Sequence, residues 1–220
     1  MKSEKAEPAR IVVLISGSGS NMQAIAESCA KKELDGEIVA VISNRPEVMG
    51  LQRAKEFEIA TDVVDHTEFS SREEFDANLI RAIDEHTPDL VVLAGFMRIL
   101  TSDFVRRYKG RMLNIHPSLL PKYKGLNTHQ RALDAGDKEA GVTVHFVSED
   151  LDGGANIIQA VVPVLDDDDE GTLRSRVQIQ EHVIYPIAVK WFVEGRLTLN
   201  KGDAYFDGKE LPVAGLKLTQ

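Results

Sequence analysis

The feature that most restricts this chain is an alternation over its first half. Short unbroken apolar runs take turns with segments whose apolar residues recur at helical spacing. Residues 11–15, 38–42 and 90–94 are runs of the first kind and predict strands, as do 60–64 and 111–115, where Thr61, Asp62, Arg111 and Asn114 interrupt the apolar residues. Met22, Ile25, Ala26 and Cys29 fall at helical spacing, and residues 50–57 and 72–86 carry the same pattern. A strand with no polar face must be covered on both sides, which crossover helices do for a parallel sheet. The expected fold is α/β and Rossmann-like, a mostly parallel sheet with helices on both faces.

The second half departs from this rhythm. Residues 142–147 and 157–164 predict strands on either side of an Asp152-Gly153-Gly154 turn. Residues 177–194 predict a long helix holding Trp191, and 197–200 with 204–206, followed by Asp207-Gly208, predict a terminal β-hairpin. The acidic run from Asp166 to Glu170 reads as a solvated loop before the helix. No stretch has the composition of a domain linker. One domain over 1–220 is expected, a βα half over 1–110 and an elaborated half over 111–220.

Ser16-Gly17-Ser18-Gly19-Ser20-Asn21 follows the first strand and opens the first helix. Unpaired backbone N–H groups at such a helix start attract an anion, and the glycines allow a ligand to approach. A dinucleotide loop needs a small residue where this chain has Met22, and an acid where the second strand ends in Ser43-Asn44. No Gly-Lys-Ser/Thr follows either, so a single phosphate group fits best. A helix cap with no ligand remains open for this loop taken alone.

Asn114 and His116 lie two apart on a strand, so they project from one face at its carboxyl end. An amide beside an imidazole offers two donors to one oxygen, as required where a carbonyl becomes an oxyanion in acyl transfer. Pro117 and Pro121 then end the strand. Asp152 is the carboxylate best placed to orient His116 and favour its imidazolium form. Taken singly, His116 also reads as a satisfied core histidine and Asp152 as a turn former. His66, His86, His129, His145 and His182 show no metal-ligand spacing, so no metal is expected. His145 reads as a plain strand residue, His86 and His182 as helix-surface residues, and Cys29 as packing.

The charge balance narrows the partners. Twenty-six basic against 35 acidic residues give a net charge of −9, which repels a nucleic-acid backbone. One cysteine permits no intrachain disulfide and suits a reducing compartment. No apolar run approaches the roughly 18 residues of a membrane span, and residues 1–10 have no signal-peptide core. A cytoplasmic protein acting on small molecules is expected, with no nucleic acid and no membrane.

These motifs together resemble the folate-dependent formyltransferases, and most closely the phosphoribosylglycinamide formyltransferases of purine biosynthesis. The resemblance runs from residue 11 to the terminal hairpin. It rests on the glycine-serine loop, on Leu93-Ala-Gly-Phe-Met-Arg-Ile-Leu100 and on Leu113-Asn-Ile-His-Pro-Ser-Leu-Leu-Pro121. Val144-His-Phe-Val147, Leu151-Asp-Gly-Gly154 and Gln180-Glu-His-Val-Ile-Tyr-Pro186 complete it. It implies formyl transfer from 10-formyltetrahydrofolate to glycinamide ribonucleotide, catalysed by Asn114, His116 and Asp152. It further implies Gly19, Ser20 and Asn21 on the substrate phosphate, Glu181 on the ribose and Pro117 beside them. Arg72, Phe96, Met97, Arg98, Ile99, Leu100, Asn114 and Val147, with the loop around Asp152, would receive the folate. The resemblance also suggests a cis bond at Leu120–Pro121, and a monomer or homodimer. Asn127 stands where related chains often carry histidine, a departure that bears on pH dependence if that side chain supports the catalytic group. Ser18 stands where asparagine is frequent, which bears on one loop hydrogen bond; neither is one of the three catalytic positions. The nearest rivals are a 10-formyltetrahydrofolate hydrolase, a formyltransferase acting on methionyl-tRNA or an amino sugar, and a non-catalytic phosphate-ligand sensor.

Overall fold

A computed structural model describes residues 7–218, so most of the polar segment before the first strand lies outside the described residues. The five expected strands become β1 (Ala9–Ile15), β2 (Gly36–Ser43), β3 (Thr61–Val63), β4 (Leu90–Leu93) and β5 (Met112–His116). The helices between them are α1 (Ser20–Ala30), α2 (Met49–Glu56), α3 (Arg72–Asp84) and the short α4 (Ser102–Arg107). Beyond β5 come α5 (Thr128–Asp134), β6 (Glu139–Phe146), β7 (Asn156–Pro163) and α6 (Glu170–Val193). The chain finishes with β8 (Leu197–Asn200), β9 (Asp203–Phe206), β10 (Lys209–Glu210) and β11 (Leu216–Leu218).

Eight strands form one sheet in the order β11-β7-β6-β5-β4-β1-β2-β3, and β8, β9 and β10 form a separate small sheet. The pairings among β1 to β5 are all parallel, as is that of β11 with β7. The β5–β6 and β6–β7 pairings are antiparallel. The mostly parallel sheet and the terminal hairpin are as expected. The return of the chain as β11 to the edge of the main sheet is not visible in the sequence pattern.

Period-2 geometry divides β1 between two cores. Ile11, Val13 and Ile15 pack in one cluster with Met22 and Ile25 of α1 and Ile184 and Tyr185 of α6. Val12 and Leu14 pack in the other with Phe75 and Leu79 of α3 and Phe104 of α4. All five β1 residues have 0% exposure, which is why the strand shows no polar alternation.

Helix α6 begins earlier than the expected residue 177. Its first turn is closed by a capping box, in which Thr172 N–H donates to Asp169 Oδ1 and Asp169 N–H to Thr172 Oγ1. Asp168 pairs through both oxygens with Arg176, at 2.6 and 2.8 Å. Asp169 and Glu170, the last two residues of the acidic run, therefore start the helix instead of lining a loop. The only buried hydroxyl of α6, on Tyr185, lies 2.8 Å from the Leu93 carbonyl and 3.1 Å from that of Leu113. It ties the helix to β4 and β5 just below the residues that follow. No helix among the described residues is long and apolar enough to cross a membrane.

Candidate active site

The sheet order puts a topological switch point between β1 and β4. From β1 the chain winds outward to β2 and β3, and from β4 it winds the opposite way to β5. The loops leaving the carboxyl ends of β1 and β4 therefore diverge, opening a crevice of the kind in which α/β sheets bind ligands. Asn114 and His116 close the β5 side of this crevice.

Antiparallel register decides what faces these two residues. Asn114 pairs with His145 and His116 with Thr143 across β5 and β6. Asn114 Nδ2 lies 3.2 Å from His145 Nε2, and His145 Nδ1 lies 2.8 Å from its neighbour's carbonyl, Phe146 O. A carbonyl accepts only, so Nδ1 carries the proton, and Nε2 accepts from the Asn114 amide. Burial pushes the His145 imidazole down to about 4, against the opposing pull of the Phe146 carbonyl and Asp152, which keeps it neutral near pH 7. The sequence reading left His145 as an ordinary strand residue. Only strand register identifies it as the group that orients Asn114.

His116 is 6% exposed. Its Nε2 lies 2.9 Å from the Tyr123 carbonyl and so donates to it, and its Nδ1 is 3.4 Å from Asp152 Oδ2. Both ring nitrogens thus face acceptors, an arrangement that a doubly protonated ring satisfies. The Gly125 N–H donates to Asp152 Oδ2 at 2.9 Å, while Asp152 Oδ1 approaches His145 Nε2 to 3.9 Å. Asp152 has φ +47°, and Gly154 follows where any side chain would collide with the Phe146 carbonyl. The Asp-Gly-Gly turn is therefore both a turn and the holder of a buried carboxylate. The expected trio is together, with one correction to its geometry. Neither side chain is wholly free for one oxygen, because Asn114 gives one amide hydrogen to His145 and His116 gives Nε2–H to Tyr123.

The glycine-serine loop, at the carboxyl end of β1, lies across β4 from this group. Gly19 is in the left-handed region at φ +70°, and a Cβ there would sit 2.5 Å from Gly50 Cα on α2. Glycine is required at that position. Asn21 Nδ2 donates to Glu181 Oε2 at 2.7 Å, and Gln178 Nε2 donates to Ser20 Oγ at 3.2 Å. Burial raises the Glu181 carboxyl above the usual range although the Asn21 bond opposes it. Gly19, Ser20, Asn21 and Glu181 are thus brought together, and Gln178 joins them unanticipated. Its one signal is its position on α6 one turn before Glu181. Pro117 lines a cavity of about 10 Å³ with Thr128 and His129. A groove of about 680 Å³ between α1 and α6 meets the loop only at Ser20 and is lined by none of Asn114, His116 or Asp152.

The segment after β4 forms the other wall. Phe96, Leu100 and Val147 pack together on the second core, while Met97, Ile99 and Leu151 are more than half exposed. The Met97 N–H donates to Ser16 Oγ at 2.7 Å, and Ser16 donates in turn to Asn44 Oδ1 at 2.5 Å. The Arg98 guanidinium lies 5.4 Å over the Phe75 ring. Arg72 opens α3, exposed to solvent. The Leu120–Pro121 peptide is cis, as expected. Asn127 is exposed in the left-handed region, makes no side-chain cap bond, and lies outside the hydrogen-bonded group of Asn114, His116, His145 and Asp152. Ser18 is exposed and likewise outside it.

With this geometry in place, comparison with known proteins is specific. Residues 9–189 match the formyl transferase family. The phosphoribosylglycinamide formyltransferase of Escherichia coli strain K12 is 53% identical over 205 residues, 93% of this chain and 97% of that one. The Haemophilus influenzae protein of the same name is 48% identical, covering 94% and 97%. The solved phosphoribosylglycinamide formyltransferase of Coxiella burnetii superposes with a TM-score of 0.92 at 51% identity, covering 97% of this chain and all of that one.

Proposed function

The chain belongs to the formyl transferase family, and from that premise we propose that it moves the formyl group of 10-formyltetrahydrofolate onto the amine of N1-(5-phospho-D-ribosyl)glycinamide. The observation that carries this reading is the convergence of Asn114, His116, His145 and Asp152 at the sheet's switch point. A glycine loop suited to one phosphate lies beside them. The 1–110 half supplies the phosphate loop, and the 111–220 half supplies the catalytic groups.

The residues present fit the formyl donor. The exposed apolar side chains of Met97, Ile99 and Leu151 beside Phe96 offer a wall for a flat heteroaromatic ring. Arg72 and Arg98 offer positive charge for its carboxylate tail. On the other side, the N–H groups at Gly19 to Asn21 receive the phosphate, with Glu181 at the ribose and Pro117 alongside.

The reaction follows from these placements. The neutral amine attacks the formyl carbon, a new C–N bond forms, and the bond to the folate nitrogen breaks. Asn114 donates to the formyl oxygen through the amide hydrogen that His145 does not take. His116, held with both ring nitrogens facing acceptors, Asp152 and the Tyr123 carbonyl, is the group beside which the oxyanion develops. Asp152 holds that ring and passes one proton, through water, from the attacking nitrogen to the leaving one. No bond between enzyme and formyl group is needed.

A steady-state assay of tetrahydrofolate release, with and without the amine, tests the reading. Release that requires the amine supports it. Equal release without the amine indicates hydrolysis of the donor, and no release under either condition indicates a sensor.

A further inference from the structure

The wall segment between β4 and α4 is pinned by side chains at two backbone points. Ser16 Oγ holds Met97 N–H, and Asp76 Oδ2 accepts from Thr101 N–H at 2.6 Å. The second clamp is chemically unusual. Asp76, on α3, is 2% exposed, and its Oδ1 has no hydrogen-bond partner among the described residues. Burying a carboxylate is costly, and a neutral acceptor would hold one backbone N–H at lower cost. Burial indeed raises the Asp76 carboxyl above the usual range, against the Thr101 bonds and the pull of Arg72 and Arg98. A negative charge at this position therefore needs a role beyond capping α4.

Its surroundings supply one. Arg98 Nε is also buried and without a partner, and although no direct Asp76–Arg98 bond forms, Arg98 and Arg72 lie near enough to act on the Asp76 carboxylate through charge. The Arg98 guanidinium rests over Phe75, the residue preceding Asp76, and Arg72 lies one helical turn before Asp76 on the same face of α3. A buried carboxylate thus lies near the two cations assigned above to the donor's tail.

We propose that Asp76 is a positioning residue for the formyl donor, its carboxylate fixing the 94–101 segment at Thr101 and aligning the Arg98 guanidinium for the donor's carboxylate tail. The proposal rests on the reading above that this wall receives 10-formyltetrahydrofolate. Asp76 touches neither the reacting atoms nor the amine substrate, so its effect belongs in donor affinity alone.

The test is Asp76→Asn in the full chain. The asparagine oxygen can still accept from Thr101 N–H, so a purely structural cap would survive. The expected result is a KM for 10-formyltetrahydrofolate raised roughly five- to tenfold, the worth of a weakened charge-assisted contact. The kcat and the KM for the amine should stay within twofold. With 10-formyltetrahydropteroate, which lacks the glutamate, the substituted and unsubstituted chains should have equal KM. Arg98→Gln should raise the donor KM similarly, and Asp76→Asn added to it should change KM by less than twofold. A donor KM unchanged in Asp76→Asn overturns the proposal in favour of a neutral cap. A lowered KM overturns it too, because Asp76 would then compete with the tail. If Asp76→Asn fails to fold, an unchanged donor KM in Arg98→Gln does the same. No turnover by the unsubstituted chain would overturn the reading of the site and this proposal with it.

Discussion

Replacing His145 with leucine removes the anchor of the Asn114 amide and leaves the amide itself in place. The side chain is 2% exposed and neutral near pH 7, so the change introduces no buried charge. The lost Asn114–His145 bond contributes about 0.5–1.5 kcal/mol net, and an outright loss of one oxyanion donor costs about 2.7–4 kcal/mol. A donor that is present but free to rotate falls between these, at about 1–2 kcal/mol of barrier, or roughly 5- to 30-fold in kcat. Both KM values should stay within about twofold. Steady-state kinetics with a parallel melting curve measure this. An unchanged kcat would refute the anchoring argument. So would a loss as large as that of Asn114→Ala in a fully folded protein, because His145 would then be acting on the reaction itself. The same group predicts a pH effect on stability. The unfolded chain takes up a proton at His145 below about pH 6.5, and the folded chain resists it until about pH 4. Its contribution is complete above pH 6.5 and lost as pH falls towards 4. Chemical denaturation at pH 7 and pH 5 should show a smaller acid loss for His145→Leu than for the unsubstituted chain.

Asn114→Ala should lower kcat by roughly 10²–10³ with the donor KM little changed, measured on the same assay. Gly19→Ala forces a strained φ and a backbone collision with Gly50. It should raise the KM for the phosphorylated amine by roughly tenfold or more in initial-rate measurements, since the loop's N–H groups lose their aim. Tyr185→Phe removes a buried hydroxyl facing the Leu93 and Leu113 carbonyls. It should cost about 1–2 kcal/mol and lower Tm by roughly 2–8 °C in calorimetry, with kcat nearly unchanged.

The half of the fold that is buried on both faces was legible because the apolar cores of β1, β2 and β4 have no polar face to hide them. The antiparallel return through β6 and the closing strand β11 were less legible, because pairing partners far apart in sequence leave no periodic trace. The α6 start shows a signal that was present and overlooked. Asp169 followed by Thr172 is a capping box, yet the neighbouring charges made the segment resemble solvent-exposed loop. At the site, Asn114, His116 and Asp152 could be singled out as side chains. Their partners could not, since the Tyr123 carbonyl and the Gly125 N–H are backbone groups in a loop. His145 becomes meaningful only once Asn114 is its cross-strand neighbour, 31 residues away.

The central claim is direct transfer at this site, and following the carbon itself tests it most directly. With donor labelled with carbon-13 in the formyl group, excess enzyme and the glycinamide ribonucleotide, a single turnover should place the label on the amine nitrogen of the product. One tetrahydrofolate should appear for each labelled product, and Asn114→Ala should slow both together. Label recovered as formate, or bound to the protein before the amine is added, would contradict the account.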